Sequence, residues 1–375
     1  MPPESGEGPM VAFVLPSLNG GGAERAVLNL HGQSRLPTRV LVERAEGDLR
    51  DDPMAADAIA LEMPEGGGRS RRIVPMARAL RRLRPDVVVA VLSPLTAGLA
   101  GRLAGARVVF WLQNPPHFIP GAGRRLGLRG LANLSDAIAG ATPGLCDEWS
   151  EAGAPAAKMT VLPNGLTLPA RPPARRSSPS GSGSLRLLAM GRLVEQKRHD
   201  LLIRALATIR GSRPAELTIL GRGELEGELR GLAASLGLAA HVHFPGFAAD
   251  PSAHLEAADV FVLASDYEGF GNVIVEALGS GLPVVCTDAP HGPAFIASDS
   301  PAVRLVPCGN PEAIGRAVLE TADNDDPQLP LEAWRRAQAF SIERVTAHFE
   351  RLIERVADRQ PPPQWPDRDT AGPAA

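Results

Sequence analysis

Short runs of apolar, often β-branched residues alternate with longer stretches of helical period along most of the chain. Met10–Leu15, Arg39–Val42, Val87–Leu92, Arg107–Leu112 and Met159–Leu162 read as buried strands. Ala23–Gln33, Ile73–Leu83 and Leu145–Ala152 carry helical periodicity between them. Strands that are apolar on both faces and separated by helices predict a parallel sheet covered on both sides. Residues 169–184, made of Pro, Arg, Ser and Gly with little else, cannot pack a core and predict a linker. The pattern then restarts, with strands at Leu185–Met190, Glu216–Leu220, His241–Phe244, Val260–Leu263, Pro283–Thr287 and Val303–Val306. Arg198–Ile209, Leu225–Leu236 and Gly271–Gly279 are the helices between these strands. The expected class is α/β: two Rossmann-like, doubly wound domains, residues 1–168 and 185–340, facing each other across a cleft. Ser341–Asp358 reads as a last amphipathic helix, capped by Ser341 with Glu343 and Glu350 on its polar side, and is expected to pack back towards the first domain. Residues 359–375, rich in Pro and Asp, are expected to form a disordered tail.

Length agrees with this division, since 375 residues suit two domains of roughly 100–200 residues each. A chain that is 44% hydrophobic and 22% charged is an ordinary globular one, which excludes full-length disorder. The net charge of -3 argues against a dedicated nucleic-acid binder. Cys146, Cys286 and Cys308 are odd in number and far apart, so neither a disulfide framework nor a zinc site is expected. The acidic start, Met1-Pro-Pro-Glu-Ser-Gly-Glu, is unlike a signal peptide. The longest uncharged apolar run, Val87 to Gly101, contains Pro94 and is too short to span a bilayer. The expectation is a cytoplasmic protein, with peripheral attachment to the inner face of the membrane as a variant of it. That variant comes from uneven charge: residues 66–131 carry twelve arginines and one acid, while residues 1–65 carry five arginines and eleven acids. Arg124-Arg125-Leu-Gly-Leu-Arg129 mixes cations with leucines, which suits either an anionic membrane surface or a solvated helix face.

Ligands of open parallel sheets bind beyond the carboxyl ends of the strands, and three such places carry suggestive chemistry. In the first, a strand ending near Leu263 is followed by Glu268-Gly269-Phe270-Gly271-Asn272 and a helix containing Glu276. Amides at the start of that helix would face an anion, with a glutamate on either side to hold hydroxyls. A nucleotide-sugar has that layout; a turn glutamate and a solvated helix glutamate are the plainer alternative. In the second, Gly191-Arg192-Leu-Val-Glu-Gln-Lys197 brings two cations to a strand end, enough to neutralise a pyrophosphate without a metal; two ordinary surface cations are the plainer alternative. Only Lys158 and Lys197 are lysines in a chain that otherwise uses arginine, which draws attention to Lys197. The third is Gly20-Gly21-Gly22, a glycine loop that lacks both the dinucleotide and the ATPase spacing. That loop, which could bring backbone amides onto a phosphate, and Gly221-Arg-Gly223 each read more simply as a plain tight turn. His117, beyond Gln113-Asn114-Pro-Pro, is either structural or turned towards the expected cleft.

Glu268-Gly-Phe-Gly-x4-Glu276-Ala-Leu-x-Ser-Gly-Leu-Pro-Val-Val resembles the Glu-x7-Glu segment of the family 4 retaining glycosyltransferases, which have the two-domain GT-B fold. Gly191-Arg192-Leu-x3-Lys197, Gly20-Gly-Gly-Ala-Glu24-Arg, Pro163-Asn164-Gly and Asp288-Ala-Pro-His-Gly292-Pro293 are similar to other landmarks of that family, in the same order over residues 10–355. The resemblance implies transfer of a hexose or N-acetylhexosamine from a nucleotide-sugar donor to a growing glycan or lipid-linked acceptor, with retention of configuration. It implies no cofactor, no metal and no nucleic acid. By position, Glu268 would contact the donor sugar and Glu276 the ribose; Arg192 and Lys197, with Gly191, would hold the diphosphate. Gly20, Gly21 and Gly22, together with Gly269, Phe270, Gly271 and Asn272, complete the implied donor contacts, and His117 joins Glu268, Arg192 and Lys197 as a catalytic candidate. Two departures stand out: Gln113-Asn114 where many relatives have a histidine, and Phe295 where the late loop often has a glutamate. A non-catalytic nucleotide-sugar binder or scaffold subunit is the alternative, separated from an enzyme by an assay for donor hydrolysis. An epimerase on the same fold is disfavoured by the glutamate pair.

Overall fold

The computed structural model describes residues 8–63, 69–92, 94–116, 124–172, 183–298 and 300–366. Contacts divide the chain into two units, Met1–Thr167 with Ser341–Ala375, and Leu168–Phe340.

The first unit runs β1 (Val11–Leu15), α1 (Gly22–Gln33), β2 (Thr38–Val42), β3 (Ile59–Ala60), α2 (Arg69–Leu83), β4 (Val87–Val91), α3 (Pro94–Ala104), β5 (Arg107–Leu112), α4 (Arg124–Leu134), β6 (Ala137–Gly140), α5 (Pro143–Glu151) and β7 (Met159–Val161). Its strands form one parallel sheet in the order β3-β2-β1-β4-β5-β6-β7. Every residue of β1, β4 and β6 is buried, which is why these strands read as continuous apolar runs rather than alternating ones.

In the second unit β8 (Leu185–Met190), α6 (His199–Arg210), β9 (Ala215–Leu220), α7 (Glu226–Ser235), β10 (Val242–Gly246), α8 (Ser252–Ala257), β11 (Val260–Leu263), α9 (Asn272–Gly279), β12 (Val284–Thr287), α10 (Gly292–Ala297), β13 (Val303–Val306), α11 (Pro311–Ala322) and α12 (Leu329–Gln338) follow in turn. The sheet order is β10-β9-β8-β11-β12-β13, again parallel. Each sheet therefore reverses direction once, between β1 and β4 in the first unit and between β8 and β11 in the second. Crevices at such reversals are where open α/β sheets take ligands.

The chain then returns to the first unit as α13 (Ile342–Ala357). Ser341 caps it, accepting from the Arg344 amide, and Ile342, Val345, Phe349, Leu352, Ile353 and Val356 enter the core around β1 and β4. Phe349 stacks on Phe13 with ring centroids 5.4 Å apart. Beyond it, the structure departs from the disordered tail expected from residue 359. The Thr160 hydroxyl donates to the Pro363 carbonyl, and Trp365 packs edge-on against His348, 5.0 Å between centroids. A single tryptophan next to prolines gave no periodic signal, yet its ring finds a partly buried seat on the first unit's core. Residues 367–375 lie outside the described residues.

Candidate active site

The second unit's switch point is built from two loops, one after β8 and one after β11. The β8 loop is fixed from beneath by close backbone approach. Gly191 donates to Leu220 O and Leu193 to Arg222 O, both at 2.9 Å. A Cβ on Gly221 would lie 1.9 Å from the Gly191 carbonyl oxygen, so only glycine fits there. The sequence motif read as a plain turn is thus the packing floor under Gly191 and Arg192. The loop ends in a 3-10 turn, Glu195–Lys197, and Arg198 at φ 47° redirects the chain into α6. His199, the first residue of α6 and 2% exposed, lies with Nε2 3.2 Å from the Arg192 carbonyl oxygen. Burial, foremost among the causes, lowers its pKa to about 4, so the ring is neutral and Nε2–H donates to that carbonyl.

The β11 loop is stitched to the first. Asp266 donates its amide to Gln196 O at 2.9 Å, and the Gln196 side chain donates to Tyr267 O at 2.8 Å. These bonds bring Lys197 Nζ to 2.5 Å from Glu268 Oε1. Both side chains are largely buried, 13% and 8% exposed. Ser265 Oγ donates to the same carboxylate oxygen at 2.7 Å, and the Ser265 carbonyl accepts from Thr287 Oγ1 at 2.6 Å. Ser265 and Thr287 are fully buried, so Glu268 is anchored to the ends of two neighbouring strands. Its backbone is clamped too: Gly292 donates to Glu268 O at 3.2 Å, and residues 268 and 291 form a parallel bridge. His291 adopts φ 76°, a conformation costing a non-glycine residue on the order of 1–3 kcal/mol, held by this contact. A Cβ on Gly292 would sit 1.8 Å from the Phe270 carbonyl oxygen, so the late loop can close over the Glu268 loop only with glycine there.

Phe295 explains one departure of the sequence. Its ring packs at 5.4 Å from Phe340 and 6.5 Å from Phe270, while Phe270 and Phe340 lie 5.3 Å apart. This late-loop position is thus part of an aromatic floor beneath the Glu268 loop. Phe270 is buried, Gly271 caps α9, Asn272 is its first residue, and Glu276 lies half-buried one turn further along. Arg192 is exposed at the end of β8, with Gly191 and Gly269 half-buried.

The structure thus brings Lys197 and Glu268 into contact, with Arg192, Gly191, Gly269–Asn272 and Glu276 on the two loops and the helix beside them. Gly20–Gly22 belong to the first unit, in the segment from β1 to α1 at that sheet's own reversal. Glu24 turns back towards them, 6% exposed, and would meet a Cβ on Gly21 at 2.5 Å. His117 lies outside the described residues. Gln113 is buried and donates to Asn164 Oδ1 at 3.0 Å, which ties the end of β5 to the Pro163-Asn164-Gly segment. Lys158, the other lysine, caps the carboxyl end of α4 through Ala132 O and Ser135 O at 2.8 and 2.7 Å. Ser265, Thr287 and His199 escaped sequence reasoning; the only visible signal was the Ser-x-x-Glu spacing of Ser265 and Glu268. Among the described residues no group of three or more His, Cys, Asp or Glu is placed to hold a metal ion.

Comparison with known proteins agrees with this architecture. Residues 184–324 match the model of the glycosyl transferases group 1, and residues 20–165 match the glycosyl transferase 4-like domain. The lipopolysaccharide core biosynthesis glycosyltransferase LpsE of Rhizobium meliloti is 39% identical over 139 residues, 37% of this chain and 40% of that protein. The N-acetylgalactosamine-N,N'-diacetylbacillosaminyl-diphospho-undecaprenol 4-alpha-N-acetylgalactosaminyltransferase of Campylobacter jejuni is 34% identical over 156 residues, 41% of this chain and 42% of that one. The chain thus spans about two fifths of the length of these curated relatives. The crystal structure of Anabaena HepE in complex with UDP and glucose superposes with a TM-score of 0.77 at 20% identity, covering 91% of this chain and 98% of that one. Two parallel α/β sheets, each reversing once, and both family matches in their expected order leave one assignment: the chain belongs to the family 4, group 1 glycosyltransferases of the GT-B fold.

Proposed function

We propose that the chain transfers a hexose or N-acetylhexosamine, with retention of configuration and without a metal ion, from a nucleotide-sugar to a growing glycan or lipid-linked acceptor. The observation that carries this reading is the meeting of Lys197 and Glu268 at the switch point of the second sheet, with Arg192 on the same loop as the lysine. A UDP-sugar is the first choice of donor, in keeping with the UDP and glucose held by the HepE neighbour, and GDP-mannose is the second. The names of the relatives favour cell-envelope polysaccharide assembly.

In this reading Arg192 and Lys197 neutralise the diphosphate, and Glu268 accepts from donor-sugar hydroxyls. Gly269, Gly271 and Asn272 offer backbone amides, with the positive end of α9 behind them, and Glu276 accepts from the ribose diol. Acceptor recognition is assigned to the first unit. The acceptor hydroxyl oxygen bonds to the anomeric carbon on the face from which the diphosphate oxygen departs, and that departing phosphate takes the hydroxyl proton. Catalysis then rests on positioning and on stabilising the leaving charge, with no carboxylate nucleophile. Proton NMR of the newly made glycosidic linkage tests this: the anomeric configuration of the donor is expected in the product, and inversion would overturn the retaining mechanism.

A further inference from the structure

Resting on the donor-site reading above, we infer that Glu268 has a second role: it is the internal counter-ion of Lys197, which a nucleoside diphosphate must displace in order to bind. The two partners of this ion pair differ in freedom. The carboxylate is the fixed one, because Ser265 Oγ holds its Oε1 at 2.7 Å and Thr287 Oγ1 in turn holds the Ser265 carbonyl at 2.6 Å. The ammonium is the movable one, at the tip of a four-carbon stem that passes Gly191 with room to spare: a Cβ there would lie 3.5 Å from Lys197 Cδ and Cε, an ordinary contact. Largely removed from water, the 2.5 Å pair is stronger than a surface ion pair, and an incoming diphosphate competes with it for the same ammonium.

This arrangement gives the site a cycle. With donor bound, the ammonium is drawn to the diphosphate while the carboxylate, staying in place on Ser265, accepts from the hydroxyls of the sugar. Once the sugar has left for the acceptor, Glu268 loses those hydroxyl partners and reclaims Lys197, which weakens the hold on the remaining nucleoside diphosphate. The glutamate therefore lowers product affinity and speeds product release, a step that limits turnover in many enzymes. Arg192, exposed on the same loop, stays available for the diphosphate throughout.

Calorimetric titration of the full chain with UDP, GDP and inorganic pyrophosphate, none of which carries a sugar, isolates the effect. Glu268→Gln and Glu268→Ala are expected to bind the preferred nucleoside diphosphate, and pyrophosphate with it, roughly five- to tenfold more tightly than the wild type, tenfold being about 1.4 kcal/mol. Lys197→Ala is expected to bind more weakly, and adding Glu268→Gln to it should bring no gain, because the gain depends on the lysine. Melting curves of each variant confirm that it is folded. If both Glu268 variants bind no more tightly than wild type while Lys197→Ala binds more weakly, the counter-ion role is wrong and the donor site stands. If Lys197→Ala binds as well as wild type, or the wild type binds no nucleoside diphosphate, the donor site itself is wrong and the counter-ion role falls with it.

Discussion

Replacing Lys197 by Ala removes one cation from a pair that is almost wholly out of water, and its effects on stability and catalysis have separate origins. In the free enzyme the Glu268 carboxylate, 8% exposed, loses the ammonium 2.5 Å away and keeps, among the described residues, the Ser265 hydroxyl alone. Stranding a fully buried charge costs about 3–5 kcal/mol, and the remaining hydroxyl and slight exposure reduce this to about 1–3 kcal/mol. For a unit the size of Leu168–Phe340, each kcal/mol moves the melting temperature by roughly 2–4 °C. A fall of between about 2 and 12 °C is expected. In the bound enzyme the same substitution removes a charged contact to the leaving diphosphate, about 2–4 kcal/mol of transition-state stabilisation, so kcat/KM should drop by roughly 30- to 1,000-fold. Lys197→Ala combined with Glu268→Gln separates the two effects: with no charge left stranded, most of the melting temperature returns while activity stays low. Differential scanning calorimetry and steady-state release of nucleoside diphosphate measure both. A Lys197→Ala enzyme with wild-type kcat/KM, or a double variant that melts no higher than the single one, would refute this reasoning.

Glu276→Gln should weaken nucleoside diphosphate binding by about tenfold, since it removes a charged acceptor from the ribose; unchanged affinity in a titration would take Glu276 out of that role. Acid should destabilise both units through His199 and His348, buried rings whose pKa is lowered to about 4 chiefly by burial. The unfolded histidines protonate near 6.5 and so bind more protons than the folded ones between pH 6.5 and 4. Stability from this source is complete above 6.5 and is lost as pH falls towards 4, on the order of 3 kcal/mol for each ring. Urea midpoints measured across that range should fall with pH, and His348→Gln, altering the first unit alone, should flatten the slope; an equally steep slope would clear His348. The side chains of Arg124, Arg125 and Arg129 lie outside the described residues, and their charge pattern is tested by co-sedimentation with anionic vesicles. At about 1 kcal/mol for each arginine near the surface, binding is expected at low salt and should disappear when the three become Ser; binding unaffected by that change would leave them as a solvated face.

Much of the fold was legible because buried parallel strands announce themselves as unbroken apolar runs; the all-buried β4 and β11 are examples. The two-residue β3 and the Ala- and Gly-rich β6 lack that signal and were not read. The helix α11 carries its signal in a single cap, Asn310 accepting from the Ala313 amide, rather than in a bounding pair of strands. Within the site, Arg192, Lys197 and Glu268 were visible as residue types at strand ends. That Lys197 and Glu268 touch was not, since they are 71 positions apart and meet only because β8 and β11 are neighbours. Ser265 and Thr287 depend on the contact between β11 and β12 in the same way. Gly221 reads only as a turn glycine, and Gly292 only as part of the late-loop landmark, because a sequence shows no neighbouring carbonyl; their task is to let Gly191 and Phe270 come close.

Turnover of a donor panel decides whether the second unit holds a nucleotide-sugar and gives up its sugar. Wild-type protein is incubated with UDP-glucose, UDP-galactose, their N-acetylhexosamine counterparts and GDP-mannose, and release of the nucleoside diphosphate is followed with and without glycan and lipid-diphosphate acceptors. At least one donor should be turned over by the wild type, with Lys197→Ala and Glu268→Gln both strongly impaired on that same donor. Turnover of none, or turnover that survives both substitutions, would contradict the account.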